Sequence, residues 1–339
     1  MSNDIRIKKG LDIKLKGEAE KTSEKAVISN FYTLRPQDFH GVIPKLISKV
    51  GTKVKAGTPV FHDKSNENIK FVSPVSGEIT EIVRGEKRKI LSIKIQADKS
   101  DSYLEHPVLN LETAKSEEVK SLLLASGCWP FIKQRPYDVI ANPTKEPKAV
   151  FISAYASAPL VADYDYTLKG KEKELQAAVT ALGKLTKGKV HVSVGSNSSS
   201  PMSGLSGITL HKVSGPHPSG NVGTQINRID PVNKGEVVWT VNPHDLVIIG
   251  ELLLTGKFNP ERIVALVGSP IEKPRYFVTK LGCELATMLY DHGIEKEAHV
   301  RIISGNILSG KQVKPDGSLD YYSNTITVIP EGDDYELFG

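Results

Sequence analysis

Over the first ~100 residues, apolar positions alternate with polar ones in short runs bounded by Gly, Pro and Ser, the spacing of half-buried strands. The clearest run is 41–83. Val50-Gly51, Val54 and Gly57 set its first half, and Ser73-Pro74-Val75-Ser76-Gly77 with Ile79 and Ile82 sets its second. The glycines permit turns that β-branched residues resist, and the alternating Val and Ile predict a small sandwich. Strands at 26–33 and 90–96 flank this run and complete it. Residues 101–113 read as a connector.

Beyond it the apolar spacing changes. Val119, Leu122, Leu123 and Ala125 share one helical face, with Gly127 as a left-handed stop. A loop with two prolines covers 128–137. A strand at 149–152 leads into the small-residue loop 153–159. A helix then carries Leu175, Ala178, Val179 and Leu182 on one face, ends at Gly183 or Gly188, and passes to a strand at 190–194. This β-α-β order predicts a parallel sheet. Residues 195–224 are rich in Gly, Ser and Pro. A strand at 237–241 follows. Asn242 as N-cap and Pro243 at the first helical position open a helix that Gly256 stops. The final part has strands at 262–267 and 275–278, a helix at 280–290 capped by Thr279, and strands at 300–303 and 325–329. That β-β-α-β order reads as a β-grasp unit. The predicted division is 1–100, a β domain; 101–257, a Rossmann-like α/β domain; 258–330, the β-grasp domain; and 331–339, the start of a further segment.

Composition adds bounds. The chain has 339 residues, 39% hydrophobic and 24% charged, with formal net charge +5, ordinary values for a soluble globular protein. Basic residues cluster only at 6–9 and 84–89, which reads as a solvated surface, with weak attraction to an anionic membrane face as the alternative; no nucleic-acid partner is expected. Cys128 and Cys283 are the two cysteines. Their separation excludes a cysteine-ligated iron–sulfur cluster or zinc ribbon within the chain, and their number suits a reducing compartment. The N-terminus lacks the apolar core of a signal peptide. The most apolar run, 246–254, contains Gly250 and Glu251 and is too short to span a bilayer. Membrane association is therefore expected through a partner.

The strongest candidate loop comprises Gly215, Pro216, His217, Pro218, Ser219, Gly220, Asn221, Val222, Gly223 and Thr224. It reads as a pocket lip or partner contact in which His217 could hydrogen-bond a ligand carbonyl or accept a proton. The alternative is a structural loop with His217 merely exposed. No Lys follows the glycines, which weakens a phosphate cradle. Trp129, Phe131 and Tyr137 are candidates for an aromatic wall against a flat ligand ring, with core filling as the alternative. His211, His244 and His292 lack ligand spacing, so no metal is expected. Asp163 and Asp165 suit a helix start. No nucleophile–base pair stands out, and no catalytic residue is assigned.

The 41–83 pattern resembles biotinyl- and lipoyl-carrier domains, yet the spacing that places a carrier Lys before Pro74 lands on Asn66. Lys64 and Lys70 are out of that register. Across its whole length the chain resembles the A subunit of the Na+-translocating NADH:quinone oxidoreductase. The resemblance rests on ordered blocks: Lys70-Phe71-Val72-Ser73-Pro74-Val75-Ser76-Gly77; Leu124-x-Ser126-Gly127-x-Trp129 with Arg135-Pro136; Val213-Ser214 with the candidate loop. It continues through Trp239-Thr240-Val241-x-x-x-Asp245-Leu246, Leu254-Thr255-Gly256, Arg262-Ile263-Val264-Ala265-Leu266-Val267-Gly268 and Ile303-Ser304-Gly305-x-Ile307-Leu308-Ser309-Gly310. It implies a barrel-sandwich hybrid, a degenerate α/β domain and an SLBB-like β-grasp. It also implies a peripheral subunit on the cytoplasmic face of a bacterial inner membrane, soluble when isolated and docked on membrane-embedded subunits, especially the B subunit. The family complex oxidises NADH, reduces quinone and exports Na+, with NADH, flavins and an iron–sulfur cluster elsewhere in the complex. The family runs longer, so 339 residues read as a C-terminal truncation.

The layout also resembles the C subunit of Rnf complexes and the flavin-carrying subunit of complex I. Those relatives imply an FMN loop at 126–137 and an NADH loop at 153–159. Here the first holds Trp129, Pro130, Phe131 and Pro136 with only Gly127, and the second lacks Gly and acidic residues. The expectation is no FMN or NADH bound by this chain. Quinone is the one ligand candidate the family resemblance implies, for the 215–224 loop with His217 and for the wall of Trp129, Phe131 and Tyr137. An FMN- and NADH-binding flavoprotein is the alternative, and a biotin- or lipoate-bearing protein the third.

Overall fold

A computed structural model describes residues 3–25, 29–291, 293–294 and 298–333. His292, positions 26–28 of the expected 26–33 strand and positions 334–339 of the expected final segment lie outside the described residues.

The β domain packs two sheets. One has the order Phe31–Leu34, Ile90–Ala97, Gly77–Arg84, Lys53–Val54, and the other Pro44–Leu46, Pro59–Asp63, Asn66–Val72. Val54, Val60, Ile79, Ile93 and Ile95 point between them and are buried. Gly77 has no substitute, because a Cβ there would lie 1.9 Å from the carbonyl oxygen of Gln96. The hairpin tip differs from expectation. Asp63 pairs with Asn66 across the turn Lys64-Ser65, so Lys64, not Asn66, occupies the tip. Register shifts in this hairpin add residues between the tip and Pro74, which spacing alone does not register.

The central sheet has seven strands in the order Asn3–Arg6, Thr209–Ser214, Val190–Gly195, Val150–Ala154, Val238–Thr240, Lys133–Arg135, Val139–Ile140. The first five are parallel and the last two antiparallel. Helices Glu172–Gly183 and Pro243–Thr255 cover one face with Leu175, Leu182, Ile249 and Leu252 against Val150 and Ile152. They cross closely at Gly250, whose Cβ would fall 1.9 Å from the Glu174 carbonyl oxygen. On the other face Phe151 and Val238 meet Ile226 of helix Val222–Ile229.

The last sheet has the order Lys311–Val313, Val300–Ser304, Thr325–Pro330, Glu261–Val267, Arg275–Lys280, Glu20–Lys25. Thr325–Pro330 runs parallel to Glu261–Val267 at its centre, the β-grasp arrangement. The helix is shorter than expected, Ala286–Tyr290. Thr279 and Lys280 pair with Arg262 and Glu261 instead of starting it. The left-handed Gly282 then turns the chain, with room for a Cβ denied by Thr33 oxygen at 2.4 Å.

The expected 1–100 unit does not keep its first residues. Asn3–Arg6 adds to the central sheet and Glu20–Lys25 to the β-grasp sheet. Residues 7–19 run between them as a strap. Edge hydrogen bonding recruits strands from any part of a chain, so domain limits read from composition missed it. One apolar core also runs through all three parts. Phe39 of the β domain packs edge-on to Tyr321 of the β-grasp domain at 4.7 Å, and Tyr321 stacks on Phe131 of the central domain at 5.3 Å between ring centroids.

Candidate functional site

Parallel α/β sheets bind ligands outside the carboxyl ends of their strands, at the point where strand order reverses. In this sheet Val190–Gly195 and Thr209–Ser214 extend one side of Val150–Ala154, and Val238–Thr240 lies on the other. The reversal therefore falls between Val150–Ala154 and Val238–Thr240.

Protein groups occupy that position. Helix Pro243–Thr255 starts there, and its Asp245 accepts a hydrogen bond from Arg262 Nη2 at 2.8 Å. Arg262, from the first β-grasp strand, also donates through Nη1 to the carbonyl oxygens of Tyr321 (3.1 Å) and Ser323 (3.0 Å). Both charged side chains are fully buried. Burial pushes the Asp245 carboxyl up to about 6 against the pull of Arg262, and burial also lowers Arg262. Loss of hydration thus outweighs attraction for both members of the pair. Neighbouring His244 is held well below the usual imidazole range by burial and then by Arg262, and its ring stacks on Tyr164 with centroids 6.4 Å apart.

A cleft of about 810 Å³ opens beside this plug, over the ends of Val150–Ala154, Val190–Gly195 and Thr209–Ser214. Tyr155, Asp163, Asp165 and Asn197 line it from the sheet, and Lys14 and Glu18 of the strap line it from above. Asp163 caps helix Tyr164–Thr167, as expected of a residue at a helix start, accepting from Asp165 N at 2.8 Å. Asp165 accepts from Ser198 Oγ and, at 2.8 Å, from Ser199 N. Two carboxylates at its wall oppose a phosphate group.

The 215–224 loop begins one residue past Ser214, the last residue of its strand to line the cleft. It joins strand Thr209–Ser214 to helix Val222–Ile229. Gly215 and Gly220 are required by close approach: a Cβ would fall 2.1 Å from Ile7 oxygen in one case and 2.5 Å from Ser157 nitrogen in the other. His217 is half-buried, its Nδ1 3.1 Å from Ser157 Oγ. Its amide donates to Asp12 Oδ1 at 3.0 Å, and its carbonyl accepts from Leu11 N at 3.0 Å. Pro216 and Pro218 flank it, half-buried. Asn221 is the N-cap residue, while Gly223 and Thr224 lie in the first helical turn. The loop thus meets 153–159, which sequence reading had kept apart. Tyr155 OH donates to Gly215 oxygen at 3.2 Å, and Ser153 Oγ to Gly220 oxygen at 3.2 Å.

The aromatic candidates do not join this site or each other in one wall. Trp129 and Phe131 are core residues, 0% and 1% exposed, whereas Tyr137 is 75% exposed. Trp129 Nε1 donates to Ala141 oxygen at 2.7 Å, and its ring meets Trp239 edge-on at 5.4 Å. Strand Lys133–Arg135 stands four places from Thr209–Ser214 in the sheet, about 19 Å at about 4.8 Å per strand. What fills the neighbourhood of Phe131 is the β-grasp domain: Tyr322 OH donates to Pro130 oxygen at 2.7 Å. Sequence reading missed the Arg262–Asp245 junction. Its signals were an acidic residue in the first turn after Asn242-Pro243 and an Arg opening an apolar strand. His211, expected to lack ligand spacing, has its Nε2 2.9 Å from His191 Nδ1. Among the described residues no group of three or more His, Cys, Asp or Glu side chains is placed to hold a metal ion.

Three family models match in order: the NqrA N-terminal barrel-sandwich hybrid domain over residues 5–98, the NqrA second alpha/beta domain over 114–258, and the NQRA C-terminal domain over 263–315. The A subunit of the Na(+)-translocating NADH-quinone reductase of Neisseria meningitidis is 36% identical over 99% of this chain and 75% of the relative. The chain belongs to the NqrA family. The Pseudomonas aeruginosa relative of the same name is 35% identical over 98% of this chain and 75% of its own, and that of a Marinomonas species 33% over 98% and 74%. Among solved structures, an NAD+-reducing NiFe hydrogenase aligns with 69% of this chain and 53% of its own at 13% identity and a TM-score of 0.43. The β-sandwich, α/β and β-grasp expectations agree with the family's domain descriptions. Among the described residues no helix is long and apolar enough to cross a membrane.

Proposed function

We propose that this chain is the peripheral NqrA component of a Na+-translocating NADH:quinone oxidoreductase, a docking part of a complex that couples NADH oxidation and quinone reduction to Na+ export. The observation that carries this reading is 36% identity over 99% of the chain to an NqrA relative, with all three family domains in order. Its partners are the membrane-embedded subunits, above all the B subunit, and its place is the cytoplasmic face of the inner membrane.

The chain alone binds no FMN and no NADH in this reading. The switch-point position is taken by Arg262, Asp245 and His244, and the 126–137 segment by aromatic core. Both features favour a scaffold over a nucleotide site. The candidate quinone contact narrows to Gly215, Pro216, His217, Pro218, Gly220, Asn221, Gly223 and Thr224, because Trp129 and Phe131 are enclosed and Tyr137, though exposed, follows strand Lys133–Arg135 far from the loop.

Three measurements decide. Tagged chain expressed with the other subunits should co-purify with them, and its deletion should abolish Na+-stimulated quinone reduction by NADH. Full activity without the chain would defeat the subunit role. Photo-crosslinking with a quinone analogue in the intact complex, followed by peptide mapping, addresses the loop. Labelled peptides confined to the membrane subunits would remove quinone contact from this chain. Stoichiometric flavin absorbance in the purified chain would revive the flavoprotein alternative.

A further inference from the structure

Ten large apolar side chains are exposed among the described residues, and six of them fall in two stretches, 11–15 and 43–50. The second has a one-sided pattern. Ile43, Lys45, Ile47, Lys49, Lys53 and Lys55 face outward, while Ser48 and Val54 are buried and Pro44 and Leu46 half-buried. A turn at Val50-Gly51 splits the stretch, and before it, over 43–48, the row has the period-2 alternation of an extended segment. It runs along open edges of both sheets of the β domain, because Pro44–Leu46 and Lys53–Val54 are each the outermost strand. From position 39 to position 62 the chain has no Asp or Glu. The row therefore offers aliphatic groups and ammonium groups and nothing else of large size.

We propose that this row is a lipid-contacting face that sits on an anionic bilayer surface. Protein interfaces draw on Tyr, Trp, Met and Arg and are depleted in Lys, which is the reverse of this composition. Lysines bordering aliphatic side chains suit a headgroup layer instead. The aliphatic groups enter the acyl boundary, and the long ammonium stems reach back to lipid phosphates. Lys45 is shared with Glu67 at 3.1 Å, both exposed, so Lys49, Lys53 and Lys55 are the residues to test. The proposal deepens the peripheral-subunit reading and takes its setting from it, but the measurement needs only the isolated chain.

The test is co-sedimentation of the full 339-residue chain with vesicles containing phosphatidylglycerol and with vesicles of pure phosphatidylcholine, at low and high salt. Binding to the anionic vesicles that high salt removes is expected. Lys49→Glu with Lys53→Glu and Lys55→Glu should lower partitioning about a hundredfold, at about fivefold per lysine. Ile43→Ser with Ile47→Ser should lower it about tenfold at unchanged charge. These side chains are exposed, and an unchanged thermal transition would show that the variants fold. Absence of binding, equal binding to both vesicle types, or parental binding by the triple variant would overturn the proposal. Capture by the purified membrane-embedded subunits without vesicle binding would assign the face to protein and also overturn it. Co-purification with the complex, scored separately, tells a failed lipid face from a failed placement in the complex.

Discussion

At the ends of Val190–Gly195 and Thr209–Ser214 the central sheet gives way to Gly- and Ser-rich loops and a cleft of about 810 Å³. Beside Val238–Thr240 the same sheet runs into a buried Arg262–Asp245 pair and the aromatic contacts of Tyr321 and Tyr322. One half of the edge stays open to solvent under a strap, and the other is sealed by a neighbouring domain. The difference shows how one α/β sheet can leave one stretch of its edge open and close another. Closing the edge there takes a few large side chains and one ion pair and leaves the strands and helices of the sheet regular. The sealed half then serves as a joint between domains.

The contrast can be broken hardest at the joint. Asp245→Ala leaves the Arg262 charge buried without its carboxylate and should cost about 3–5 kcal/mol of unfolding free energy, measured by urea titration. Replacing both members with Leu and Met should recover most of that loss. A single-variant cost under about 1 kcal/mol would mean the pair is not the seal. Phe131→Ala removes the ring on which Tyr321 stacks and should also cost about 3–5 kcal/mol.

A smaller, pH-dependent effect is expected where the β domain meets the β-grasp domain. Asp38 and Asp320 share Arg35, which donates to Asp38 Oδ2 at 3.3 Å and to Asp320 Oδ1 at 2.9 Å. Burial first, and then the hydrogen bond with Asp320, pushes Asp38 up to about 7, while Asp320 is lowered. A raised folded-state value means that the folded chain holds the proton more tightly than the unfolded chain. The stabilisation is full below the ordinary carboxylate range near about 4 and is lost as pH rises through about 7. Between about pH 6 and about pH 8 unfolding free energy should fall by about 1.4 kcal/mol, and Asp38→Asn should flatten that slope. An equal slope in the variant would place the titrating group elsewhere.

The open half should tolerate more. His217→Ala loses the contact with Ser157 and should cost about 0.5–1.5 kcal/mol, with the expected functional effect confined to the assembled complex. Tyr137→Ala, at an exposed turn, should stay within about 0.5 kcal/mol. A Tyr137 effect as large as that of Phe131 would erase the distinction between wall and core.

Much of the fold was legible. Alternation over 41–83, the helical faces around Leu122 and Leu175, and the Asn242-Pro243 start each depend on neighbours in sequence, and each element forms where the pattern places it. The misses depend on distant partners. Strand Asn3–Arg6 exists because Thr209–Ser214 offers it a free edge. Lys64 reaches the hairpin tip because irregular pairing lengthens the arms. For the site, the glycines at 215 and 220 both press on backbone of distant segments, Ile7 and Ser157, which no sequence spacing reveals. The grouping of Trp129, Phe131 and Tyr137 did not survive, because neighbours in a chain with turns can face a core and the solvent within six residues.

The sequence by itself determined the three domain types, their order and the family, because strand and helix periods, caps and ordered blocks are local and additive. Only the tertiary structure decided which crevice is filled and which is open. That choice rests on Arg262 meeting Asp245 and on His217 meeting Ser157, pairs brought together by packing across domains and loops. The 41–83 run shows both sides: its alternation announced the sandwich, and the free sheet edges then turned Ile43, Ile47 and their lysines toward the outside.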